Sequence, residues 1–135
     1  MIRRSRSDKL ERLVKVQRHL EHMAEVELAN TTRARQDVQE NLNAVVEAIG
    51  SLNSVHQIFA GLYSGQISRL TAKDQHLETV QQIHENRMMR ERTKGDRLEE
   101  NMKEAREEER READDAAVYD VLDQQIALKF KPDAL

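Results

Sequence analysis

Apolar residues recur every three or four positions along almost the whole chain, with one glycine-bearing interruption near the middle. Before the interruption the series runs Leu10, Leu13, Leu20, Ala24, Leu28, Val38, Leu42, Val45, Ile49, Leu52, Phe59. After it come Ile67, Leu70, Leu77, Val80, Leu98, Met102, Ala105, Ala116, Tyr119, Leu122 and Ile126. This period places an apolar stripe along each of two long helices. A helix with so narrow a stripe has no globular core of its own and must lie against another helix. The expected fold is all-α, a long two-helix antiparallel coiled-coil hairpin.

Composition agrees with that architecture. The 135 residues suffice for one domain, and 35% of them are charged while only 3% are aromatic. Such polarity is too high for a compact core but suits a coiled coil, whose outer faces are solvent. Disorder is the competing reading of so polar a chain, and the sustained 3–4 period argues against it. The single proline, Pro132, leaves the interior free to form helices far beyond the usual length. With no cysteine there is no disulfide framework and no thiolate metal site, which fits a cytoplasmic setting. No apolar run approaches the roughly 20 residues of a membrane span. The basic start (Arg3, Arg4, Arg6) leads into Asp8, Lys9 and Glu11 and does not read as a secretory signal. A net charge of −3 argues against a general nucleic-acid binder.

The charges are unevenly placed. Residues 1–20 are rich in Arg and Lys, whereas 99–123 are rich in Glu and Asp. In an antiparallel hairpin these segments lie side by side. Each exposed pair contributes only about 0–1 kcal/mol, yet a block of them orients the arms.

The boundaries follow from local chemistry. Ser5, Ser7 or Asp8 can cap the first helix, and the capping-box spacing of Asp8 and Glu11 favours Asp8. The expectation is a single coiled-coil domain over 1–135: a helix from about 8 to 60 with Gly50 inside it, a turn at about 61–65, a helix from about 66 to 129, and a short tail at 130–135. Gly61 and Gly65 supply the turn's backbone freedom. Folding there pairs residues whose numbers sum to about 126: Leu10 faces Ala116, Ala24 faces Met102, Leu28 faces Leu98, and Arg35 faces Glu91. Around His84 to Gly95 the apolar seam is poor. The second arm also outruns the first, leaving Val118, Tyr119, Val121, Leu122, Ile126, Leu128 and Phe130 without a counterpart. Near the turn, Val55, Ile58, Leu62 and Tyr63 form a further stripe. Apolar stripes of this kind mark contact surfaces.

Catalytic chemistry finds no foothold. His19 and His22 with Glu25 share a helical face, but no further ligand completes a metal site. No Gly-Lys-Ser/Thr follows Gly61 and Gly65, so they do not read as a phosphate loop. The chain is expected to be no enzyme, with no catalytic residue, no cofactor and no metal.

The opening Lys9-Leu10-Glu11-Arg12-Leu13-Val14-Lys15-Val16, then His19-Leu20-Glu21 and Met23-Ala24-Glu25-Val26-Glu27-Leu28-Ala29, resembles the start of the FliJ family. With their YscO-type relatives these are small coiled-coil components of flagellar and related type III secretion systems. The length, the mid-chain break and the acidic Glu108-Glu109-Arg110-Arg111-Glu112-Ala113-Asp114 run are similar too. The tip departs from the family: glycines with Phe59 and Tyr63 stand where a tyrosine-rich helix is common.

The resemblance implies a function in flagellum biogenesis and motility, a setting shared with chemotaxis. FliJ-type proteins are similar to the central stalk of rotary ATPases. The paired ends of the hairpin enter the export ATPase ring and stimulate it, the other end approaches the cytoplasmic domain of the export gate, and the protein is chaperone-like. Export chaperones are further candidate partners. No nucleic acid and no direct membrane insertion are implied, and the setting is the cytoplasm, peripheral to the inner membrane at the export apparatus. By position, Arg3, Arg4, Arg6, Tyr119, Leu122 and Ile126 are the candidate contacts at the ATPase end, and Val55, Phe59, Leu62 and Tyr63 those at the tip. The alternative function is a cytoplasmic coiled-coil scaffold or tether acting by self-association.

Overall fold

A computed structural model describes residues 4–51 and 54–130. Three helices follow in order: α1 (Arg6–Gly50), α2 (Ser54–Ile58) and α3 (Ala60–Lys129). The long α1 packs against the long α3 as a two-helix hairpin. No strand occurs among the described residues.

The expected cap at Asp8 is replaced by one at Ser5. Its hydroxyl accepts from the Asp8 amide at 3.2 Å, and its carbonyl accepts the first helical bond, from Lys9, at 3.2 Å. Ser5 wins because α1 begins at Arg6, which makes Asp8 the third helical residue. There its carboxylate still favours the positive end of the helix dipole. Ser5→Ala should lower stability by about 1 kcal/mol, measured as a thermal midpoint shift, with Ser5→Asp restoring most of it.

The turn also lies elsewhere than expected. Helix α1 stops at Gly50, where the Ser51 amide donates to the Ala48 carbonyl at 3.3 Å. After α2, the Tyr63 amide donates to Phe59 at 3.0 Å and starts α3. Gly61 and Gly65, the expected turn, are therefore inside α3. No described glycine has positive φ, so neither residue is used as a left-handed cap. Helix α1 ends instead at Gly50, a weak helix former, and α2 begins at Ser54.

Moving the turn moves the register. Ser7 with Glu109 and Glu27 with Arg87 have numbers summing to 116 and 114, not 126. Arg35 accordingly reaches Asp74 and Gln81 at 3.0 and 3.3 Å, and not the expected Glu91.

The least exposed positions form a strict heptad on each helix. On α1 they are Ser7, Leu10, Val14, Gln17, Glu21, Ala24, Leu28, Thr31, Arg35, Val38, Leu42 and Val45. On α3 they are Tyr63, Ile67, Leu70, Asp74, Leu77, Gln81, His84, Met88, Glu91, Gly95, Leu98, Met102, Ala105 and Glu109. The 4–3 alternation is that of a coiled-coil seam. Leu13 and Leu20, expected in the stripe, are instead 52% and 37% exposed. The seam passes through Gln17 and Glu21 because both find polar partners on α3.

Close contacts group the described chain into two units. In the first, Met1–Val16 with Gly95–Leu135, the buried apolar residues are Val14, Met102 and Ala105. The Ser7 amide and hydroxyl donate to the Glu109 carboxylate at 3.0 and 2.5 Å, so α3 supplies an anion to the start of α1. Arg106 pairs with Glu11 at 3.3 Å.

In the second, Gln17–Lys94, Ala24 and Val38 are buried and the seam is laced with polar pairs. The Gln17 side-chain amide donates to the Glu91 carbonyl at 3.0 Å and to its carboxylate. Arg92 meets Glu21 at 3.1 Å and Arg87 meets Glu27 at 2.6 Å. His84 lies 3.5 Å from the same Glu27 carboxylate. The segment that reads as the weakest apolar seam thus carries a polar network.

Two of these carboxylates, Glu21 and Glu109, are held below their ordinary value of 4.5. The Glu21 group is lowered first by the Arg18 hydrogen bond and then by Arg92. The Glu109 group is lowered first by the Ser7 hydroxyl and then by its amide. A depressed carboxyl stabilises the folded state above its unfolded pKa and loses that contribution as pH falls through the folded one. The thermal midpoint should therefore fall on acidification below about pH 4.5, and Glu21→Gln should make that fall shallower. An acid limb unchanged by the substitution would count against this role.

Candidate functional surface

The seam of α3 does not stop where α1 does. Its heptad continues through Glu112, Ala116, Tyr119, Asp123, Ile126 and Phe130, all of them exposed. Each residue from Arg111 to Phe130 is exposed, so this stretch of α3 has no covering element among the described residues. Val118, Tyr119, Val121, Leu122, Ile126, Leu128 and Phe130 are each about half exposed or more, from 46% for Leu122 to 77% for Phe130. A shallow apolar depression runs between Ala117, Val118, Val121, Leu122 and Gln125. Burying a side chain of this size is worth roughly 1.5–3 kcal/mol, and this ridge forgoes that gain several times over.

The candidate contacts named for the ATPase end fall in the same unit. Tyr119, Leu122 and Ile126 are on the ridge, and Arg4 and Arg6 are exposed at the start of α1. Arg3 lies outside the described residues. The ridge is flanked by Glu112, Asp114, Asp115, Asp120 and Asp123, with Lys129 near its end. It is an apolar strip in an acidic setting.

At the tip, Val55, Phe59 and Leu62 are 54%, 45% and 60% exposed, and Ile58 is 77% exposed. Tyr63 differs from them. It is half-buried, occupies the first seam position of α3, and shares a 2.9 Å hydrogen bond between its hydroxyl and His56 Nδ1. The two rings stack at a tilt, with centroids 5.9 Å apart. This contact ties α2 to α3, so Tyr63 is a structural residue of the turn as well as a surface one.

The histidine pair considered for a metal is a solvated face: His22 Nδ1 sits 3.9 Å from Glu25 and 69% of its side chain is exposed. Among the described residues no three His, Cys, Asp or Glu side chains gather as a metal site would need. No described helix is long and apolar enough to cross a membrane.

Comparison with family models, with curated proteins and with solved structures finds no match. The function therefore rests on the residues themselves.

Sequence reasoning overlooked one feature. Leu13, Val16, Leu20, Met23 and Val26 of α1 are each between 37% and 60% exposed. Their 3–4 spacing marks a stripe in its own right, but that spacing equally suits a seam, and only the partner helix shows which face is covered.

Proposed function

We propose that the protein is a non-enzymatic, central-stalk-like coiled coil of a flagellar type III export system. It binds and stimulates the export ATPase ring, contacts the cytoplasmic domain of the export gate, and acts in the cytoplasm at the inner-membrane export apparatus, where it also meets export chaperones. The observation that carries this reading is the ridge from Ala116 to Phe130, where a coiled-coil seam continues with no partner helix among the described residues. A stalk inside a protein ring needs an apolar ridge for grip and charges for orientation. The ridge, its carboxylates, and Arg4 and Arg6 have that chemistry. The FliJ-like opening from Lys9 to Ala29 supports the same assignment.

The decisive measurement is ATP hydrolysis by the export ATPase with and without the purified chain. The full chain should raise the rate and have no activity alone. Truncation after Asp120 removes Leu122, Ile126 and Phe130 and should abolish the stimulation. Helicity should be lost only in proportion to the residues removed. Undiminished stimulation by the truncated chain would reject the assignment of the ridge. A concentration-dependent dimer in light scattering, lost on the same truncation, would favour the scaffold reading instead.

A further inference from the structure

We propose that this hairpin has a second, minor register two heptads from the described one. In it the basic start of α1 covers part of the C-terminal ridge and the turn moves to Gly61–Gly65. The proposal holds whatever the ridge binds.

The seam positions on both helices follow strict heptads. Sliding one helix past the other by whole heptads keeps those positions facing each other. Which slide is tolerated depends on which layers meet. One heptad is poor: Leu10 would face Glu109, Val45 would face Asp74, and Arg35 would come against His84. Apolar groups on carboxylates and a cation on an imidazole leave polar groups without partners. Two heptads, a slide of about 21 Å, do better. Leu10 then faces Ala116, Val38 faces Met88 and Ile49 faces Leu77. Arg35 meets Glu91, while Arg6 and Arg12 come beside Asp120 and Asp114. The cost is that Val14, Leu42 and Val45 face Glu112, His84 and Gln81, and that Glu21 faces Ala105 and loses Arg92, which keeps this register the minor one.

The turn is built for both. Residues Ser54–Ile58 are already helical. Helix through the few residues on either side joins α2 to α1 and brings Phe59, now 45% exposed, opposite Ile67. Gly61 and Gly65 then leave α3 and form the turn, where glycine alone enters left-handed conformations freely. In the described register these glycines serve nothing visible. Neither has positive φ, and a Cβ at either would meet nothing within 4 Å. Each nonetheless weakens a helix several-fold relative to alanine. Their presence is explained by a state in which they turn the chain.

The consequence is a coupling between the turn and the ridge. In the second register Ala116 and Tyr119 are covered, whereas Ile126 and Phe130 stay open. A partner on the whole ridge selects the described register, and one that binds the rebuilt turn selects the other.

Because the chain has no cysteine, introduced pairs report the register directly. Ser7→Cys/Glu109→Cys reports the described register. Val38→Cys/Met88→Cys and Leu10→Cys/Ala116→Cys report the second. A disulfide needs Cα atoms within about 7 Å. In the described register Met88 lies fourteen residues, about 21 Å, beyond Asp74, which Arg35 contacts one turn before Val38. Under a glutathione redox buffer, Ser7/Glu109 should oxidise nearly completely. Val38/Met88 and Leu10/Ala116 should each form a monomeric disulfide at a lower rate, assigned by peptide mapping. Adding Gly61→Ala and Gly65→Ala should slow Val38/Met88 oxidation roughly twentyfold and leave Ser7/Glu109 unchanged. Helicity of each reduced variant confirms that it folds. Val38/Met88 thiols that stay reduced while Ser7/Glu109 closes would overturn the proposal, as would an oxidation rate indifferent to the two alanines.

Discussion

Ala24→Asp will unfold the hairpin or bring it close to unfolding, with an expected loss of about 3–5 kcal/mol. Ala24 is the most enclosed seam residue, with 0% of its surface exposed. An aspartate there must either hold an unpaired charge at the seam or push the helices apart. A domain of ordinary stability has only about 5–15 kcal/mol in total. Ala29→Asp is the matched control, because Ala29 is on the exposed side of the same helix. It bears the same loss of helix propensity, roughly 0.5–0.7 kcal/mol, and none of the burial. Thermal unfolding followed by circular dichroism at 222 nm separates the two. If both variants melt together, the seam assigned to α1 is wrong.

The second large effect separates the residues that hold the fold from those that do not. Met102 is 8% exposed, and Met102→Ala should cost about 2–3 kcal/mol through lost burial and an incompletely filled seam. Leu122→Ala and Ile126→Ala remove as much apolar surface, yet each should change stability by less than about 0.5 kcal/mol. Those side chains are 46% and 53% exposed on a stretch of α3 that nothing covers among the described residues. Large aliphatic residues that can be truncated without penalty are not maintained by folding, and the ridge then owes its apolar character to a contact outside the described fold. A loss at Ile126 equal to that at Met102 would mean that the ridge is packed in solution, against this chain or a second copy of it.

The same contrast shows what local sequence signals could and could not carry. Two long helices were legible because helix formers and the 3–4 period persist for dozens of residues. So was the unpartnered C-terminal stripe, since the second arm outruns the first on any plausible turn. The turn itself was not. Gly61 and Gly65 are the stronger breakers by type, but each costs a helix only about 1 kcal/mol. Tyr63, Ile67 and Leu70 take seam positions beside them. The line of the seam on α1 was also ambiguous. Leu10, Leu13 and Leu20 fit a helical period as well as Leu10, Val14 and Gln17 do. The burial of Gln17 and Glu21 becomes intelligible only beside Glu91 and Arg92.

What the sequence by itself determined is therefore the class of structure and the place where it is incomplete. Periodicity, absent prolines and unequal arms are properties of each segment alone. What only the tertiary structure decided is the turn, the register and the face of α1 that is covered. These depend on contacts between residues far apart in the chain, from 39 positions for Arg35 with Asp74 to 102 for Ser7 with Glu109. A heptad seam looks the same from either helix at every seven-residue step. The register is chosen only when the buried polar groups of both helices have to find partners together.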